Sequence, residues 1–103
     1  MRTTKYKVVT NNLKSLGLRR NPNILKYEIG RTKRLPKTKL LAGNTDWGGI
    51  WVTQNLSNAK TLQKYMQKKY NRHTRIFEVQ IGKILYENSY RCKTNSIKLL
   101  REV

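Results

Sequence analysis

The chain has 103 residues, enough for one domain with a small core. Its 23 Lys and Arg stand against five acids, a formal net charge of +18. No stretch approaches the roughly 20 apolar residues of a membrane span, and the single cysteine, Cys92, excludes an internal disulfide.

Apolar residues are patterned from Tyr6 to Val103 rather than diluted, which argues against global disorder. A compact domain this basic repels itself. The commonest compensation is a polyanionic partner, nucleic acid first among them. AT-rich coding raises Lys and Asn but does not remove acids, so the acid deficit is the stronger signal. A cytoplasmic location is expected from the lone thiol. Residues 1–7 agree, being positive at the start with no apolar segment of the kind a signal peptide carries.

Tyr6, Val8 and Thr10 alternate with Lys5, Lys7 and Val9, the pattern of a strand with one wet face. Asn11 and Asn12 then read as the cap of a short helix carrying Leu13, Leu16 and Leu18 and stopped by Gly17. Asn21-Pro22-Asn23 is a turn. Residues 24–29 read as a strand with Leu25, Tyr27 and Ile29 on one face. Residues 30–39 carry Arg31, Lys33, Arg34, Lys37 and Lys39, no acid, and Pro36, which predicts an exposed loop. Leu40-Leu41-Ala42 reads as one helical turn, and Gly43-Asn44-Thr45-Asp46 as a reverse turn.

Residues 49–53, Gly-Ile-Trp-Val-Thr, predict a buried strand. A helix over about 57–70 follows, capped by Ser57 or Asn58, with Ala59, Leu62, Tyr65, Met66 and Tyr70 as its apolar stripe. Lys60, Lys64 and Lys68 fall on its other side, and Asn71 closes it. Residues 75–81 are the cleanest strand, with Phe77, Val79 and Ile81 facing one way. Gly82-Lys83 turns, 84–86 is a short strand or helical turn, 88–96 a polar loop, and 97–103 a closing strand. The expected fold is α+β: a single small mixed or antiparallel sheet with one long helix packed on it.

Two constellations point to nucleic acid. The first is the basic segment Arg31, Lys33, Arg34, Lys37 and Lys39, which leads toward Trp47 and Trp51. Cations beside aromatics suit single strands, where bases stack and phosphates pair. Trp51, mid-strand, is expected in the core. The second is the stripe Lys60, Lys64, Lys68 with Lys69, Arg72 and Arg75 beyond it. Like charges at this spacing destabilise a helix. Lys68, Lys69 and Arg72 complement the helix dipole, whereas Lys60 in the first turn does not. If both sets line one groove, the helix sets register and the loop closes over the strand.

No metal or cofactor is expected: one His and one Cys without an acidic cluster build no ordinary zinc or magnesium site. Arg91 and Lys93 could lower the Cys92 thiol. A metal-free ribonuclease could draw on His73, Arg72, Arg75 and Tyr70.

The order from Gly48 onward is a Gly-Ile-Trp-Val-Thr strand, a helix through Ala59 to Tyr70, an Arg75-Ile76-Phe77-Glu78-Val79 strand and a closing strand. It resembles the second half of RNA 2′-phosphotransferases and the wider ADP-ribosyltransferase-like fold. That resemblance implies a split sheet, a cleft for NAD and an RNA or protein acceptor. The family's His-Gly-Thr strand and Arg-Ser-Glu set have no match here, so the fold could be shared without the transfer chemistry.

The expected function is a small intracellular nucleic-acid-binding protein, RNA or single strands favoured over duplex. Its size and composition would suit an accessory factor of a phage or mobile element. The alternatives are an enzyme of the two kinds above and an inhibitor whose cationic face covers an acidic protein surface.

Overall fold

The computed structural model describes residues 4–16, 24–43, 45 and 48–103. Among them lie one α-helix and a single antiparallel sheet of seven strands, the expected α+β class. The strands are β1 (Lys5–Thr10), β2 (Thr32–Arg34), β3 (Ile50–Thr53), β4 (Thr74–Ile81), β5 (Ile84–Glu87), β6 (Arg91–Thr94) and β7 (Ser96–Glu102). The helix, α1, is Leu56–Tyr70.

The sheet order is β2-β7-β4-β1-β3-β6-β5. Strands from both halves of this order belong to one long hairpin. β4 runs into β5 across Gly82 and Lys83, and β6 runs into β7 across Asn95 alone. Ile81 pairs with Ile97 on one side of this joint and Ile84 with Thr94 on the other. The Gly82 N–H donates to Ser96 O at 2.9 Å, and the Lys83 N–H to the Asn95 side chain at 2.8 Å. A side chain at Gly82 would press on Ser96 Oγ and Asn95 Oδ1, so glycine leaves those groups, and the Asn95–Lys83 hydrogen bond, in place. Because β1 pairs with β4 and β3 with β6, the bent hairpin curls the sheet into a cup.

The concave face holds the main core. Val9, Ile50, Val52, Phe77, Val79, Cys92, Ile97 and Leu99 meet there although they come from both ends of the strand order. Tyr27 fills the mouth, with Leu13, Leu25, Leu35 and Ile81 around it. The opposite face is narrower. Val8 and Ile76 receive Ala59 of α1, with Tyr6, Leu16, Leu56 and Leu62 packed alongside.

Several expectations are corrected. No helix forms at residues 11–16: the Leu13 and Lys14 N–H groups donate to the Thr10 carbonyl and hydroxyl, and Leu13 takes φ 61. This turn sends the chain back over the cup, where Lys14 bridges Lys26. Gly17, Leu18 and the Asn21-Pro22-Asn23 turn lie outside the described residues. Residues 24–29 cross the mouth with only two isolated bridges, and Ile29 is exposed rather than aligned with Tyr27.

Residues 30–39 are not a structureless loop. β2 pairs with β7, Lys37–Lys39 forms a 3-10 turn, and Leu35 anchors the segment on the core. Leu40 is extended rather than helical. Gly43 bends with φ +93, while Asn44 and Asp46 of the expected turn fall outside the described residues. The supposed polar loop at 88–96 contains β6, whose Cys92, Lys93 and Thr94 are buried. Asn55, not Ser57 or Asn58, caps α1, its side chain accepting from the Asn58 N–H at 2.8 Å. Asn71 does close the helix, in the left-handed region at φ 50.

Phe77 is fully buried at the centre of the cup. Phe77→Ala should cost about 3–5 kcal/mol, a large share of the ~5–15 kcal/mol that stabilises a domain. Urea unfolding should show the cooperative transition lost or moved to far lower denaturant; a near-wild-type midpoint would contradict this core.

Candidate nucleic-acid interface

Helix α1 packs on the convex face through Ala59 and Met66, both buried, and half-buried Leu62. The 3.6-residue period then turns Lys60, Lys64 and Lys68 outward, and all three are exposed. No acid occurs in Leu56–Tyr70. Tyr65 and Tyr70, expected in the apolar stripe, are 43% and 49% exposed. Their rings meet edge to face at 6.0 Å. The Lys69 ammonium lies 5.4 Å from one ring centroid and 5.7 Å from the other. A hydrogen bond to the Tyr65 hydroxyl, then the two phenols' field, raises its pKa. The helix thus leaves both cations and parts of two tyrosine rings in solvent.

At the C-terminal end of α1 an open cleft of about 1000 Å³ separates the helix from the turn after β1. Tyr70, Arg72 and His73 line one side and Lys14, Asn11 and Ile24 the other. This cleft gathers three of the four groups considered for a metal-free ribonuclease; Arg75 is engaged beside it. The Arg75 guanidinium donates to both Glu102 oxygens, at 3.1 and 2.7 Å, and to Asn11 O at 3.3 Å. It also lies 5.1 Å from the Phe77 ring centroid. The pairing raises Arg75 and lowers Glu102. Arg75 is therefore a clasp between β4 and β7 rather than a free phosphate ligand.

The basic segment lies elsewhere. Lys33 and Arg34 sit on edge strand β2, and Lys37 and Lys39 on the 3-10 turn. Arg31 pairs with Glu28 at 3.3 Å. Leu35 joins the concave core while α1 packs on the convex face, so the two sets of cations do not share a groove. Trp47 lies outside the described residues.

Sequence reasoning missed a third cluster. β6 alternates Cys92 and Thr94 on the core side with Arg91 and Lys93 on the other face, and Arg91 and Lys93 flank Trp51 across the β3–β6 pairing. The Arg91 guanidinium lies 4.0 Å from the Trp51 ring centroid, the Lys93 ammonium 5.6 Å, and Tyr86 meets the ring edge-on at 6.0 Å. Trp51 is thus half-buried beneath cations instead of lying in the core. Lys93 is fully buried; its stem crosses above Gly49, where any side chain would strike it, and its ammonium donates to Thr45. The four-residue alternation Arg91-Cys92-Lys93-Thr94 was the available signal, hidden by the polar residues around it.

Cys92 faces the core, and burial, then Glu87, pushes its thiol up while Lys5 pulls it down. Strand alternation carries Arg91 and Lys93 to the other face, so they do not activate it, and His73 is exposed at the cleft.

No helix among the described residues is long and apolar enough to cross a membrane. No family model, curated protein or solved structure matches this chain.

One buried cation tests the electrostatics. The Lys7 ammonium, inside the cup, donates to Trp51 O at 2.6 Å and lies 5.9 Å from the Tyr27 ring centroid. Burial lowers it from 10.5 to about 8. Between those two values the unfolded chain holds a proton that the folded chain has lost, so its contribution to stability rises with pH. Burial pushes Tyr27 up to about 12 with the opposite sign: its stability is present below 10.0 and lost above it. Comparing wild type with Lys7→Met cancels the Tyr27 effect. The difference in unfolding free energy should shift toward wild type by about 3 kcal/mol from neutral pH to pH 10.5. Urea melts of both proteins across that range check this; a flat difference would contradict the buried charge.

Proposed function

We propose that the protein binds nucleic acid, single strands or RNA in preference to duplex, through the outer face of α1. The observation that carries this reading is a 15-residue helix without an acid that exposes Lys60, Lys64, Lys68 and two tyrosine rings. Phosphates repaid by counterion release suit the lysines. Bases stacking on exposed rings suit Tyr65 and Tyr70. Lys60, just past the first turn of a helix that begins at Leu56, is exposed and has no ion pair among the described residues. One core-facing free cysteine fits a cytoplasmic protein.

The helix is favoured over the β2 segment because exposed tyrosine rings lie beside its cations. Arg31 is already paired with an acid, whereas the helix lysines have no ion pair among the described residues. The test is the triple variant Lys60→Gln, Lys64→Gln, Lys68→Gln with a labelled single-stranded RNA. Three lost phosphate contacts should lower the slope of log affinity against log salt by about 2. The melting point should hold, because exposed substitutions change stability little. Wild-type affinity and slope in this variant would overturn the reading. Equal affinity for an acidic polypeptide would favour the inhibitor instead.

A further inference from the structure

Resting on that reading, we propose that the cleft at the C-terminal end of α1 seats one unstacked nucleotide of the bound strand. Its base would lie on Tyr70 and its phosphate between Lys14 and Arg72. Tyr70 lies at the end of the helix in line with Ala59 and Met66, and its ring reaches Tyr65 and Lys69 on the flank beside the lysine stripe, which gives a strand following the helix a route to the cleft. Its volume of about 1000 Å³ stands at the upper end of small-ligand pockets, roughly 300–1,000 Å³.

The lining divides as a nucleotide does. Tyr70 and Ile24, 49% and 46% exposed, offer flat and apolar surface. Lys14, Arg72 and His73 supply the cationic or polar side, and no acid is among the described residues that line the cleft. The helix dipole accounts for cations on the last turn, Lys68 and Lys69, but not for Lys14, which reaches the cleft from the turn after β1. Asn71 spends its side-chain oxygen on the Gln67 amide at 3.1 Å, which leaves its nitrogen as the donor toward a ligand. A peptide or lipid headgroup would use the cations without needing the ring, and that difference makes the seat testable.

The experiment compares two single-stranded RNA probes of equal length and charge, one intact and one with abasic sites. Wild type should prefer the intact strand. Tyr70→Ala should weaken the intact strand by roughly fivefold to 150-fold, the loss of one base stack, and leave the abasic strand unchanged. Arg72→Gln and Lys14→Gln should weaken both strands alike. Melting points taken alongside confirm that each variant is folded; Tyr70 and Arg72 are both exposed, so they should be.

If Tyr70→Ala weakens both strands equally, or leaves the preference intact while Tyr65→Ala removes it, the cleft is not the seat. The helix reading then survives without it. If wild type binds neither strand, the helix reading itself fails. These results are distinguishable, and each decides one claim.

Discussion

The joint at Gly82, Lys83 and Asn95 is the constraint on which the rest of the structure depends. Two strands must bend together there, and the donor groups of Gly82 and Lys83 remain satisfied only because Ser96 and Asn95 lie opposite. The bend brings the β3–β6–β5 end of the sheet around to the β4–β7 end. Residues from both then enclose one apolar interior. A flat sheet of this size would need a covering layer on each side. The cup needs only a plug, and Tyr27, Leu25 and Leu35 supply it from the segment between β1 and β3.

That geometry also sorts the charge. The interior accepts Lys7 as an isolated cation bonded to a backbone carbonyl, at the cost of a strongly lowered pKa. Among the described residues Glu28, Glu102 and Glu78 form ion pairs with Arg31, Arg75 and Arg101. Arg91 and Lys93 are spent on Trp51. The convex face takes a single helix, whose buried side is small: Ala59 and Met66, with Leu62 half-covered. Its outer side therefore stays in water, and the lysines there have no ion pair among the described residues. Part of the basic composition is thus structural, while the lysines on the outer side of α1 stay exposed to solvent.

Much of this was legible from periodicity. Alternation identified β1 and β4, 3.6-residue spacing identified α1, and Asn71 marked its end. Where reading failed, the reason was usually tertiary. Residues 11–16 carry helix-like leucines, yet the Thr10 side chain and carbonyl capture their donors in a turn. β6 alternates over only four residues and is recognisable chiefly through its partners β3 and β5. The basic segment looked like a loop because Pro36 and its cations mask Leu35, whose burial ties it down. Tyr65 and Tyr70 were expected in the apolar stripe, but α1 buries only Ala59 and Met66, and both rings stay substantially exposed. The cleft was not legible, because Lys14 and Arg72 come together only once the chain reverses after β1.

The account's central claim is that exposed rings and unpaired lysines on one helix recognise a strand with accessible bases. The most direct measurement is the affinity for a single-stranded RNA against a duplex DNA of equal length, taken by anisotropy at physiological salt. A duplex offers more charge per unit length but hides its base faces. The account predicts tighter binding to the single strand. Equal binding, or a preference for duplex, would mean that only net charge acts and would contradict it.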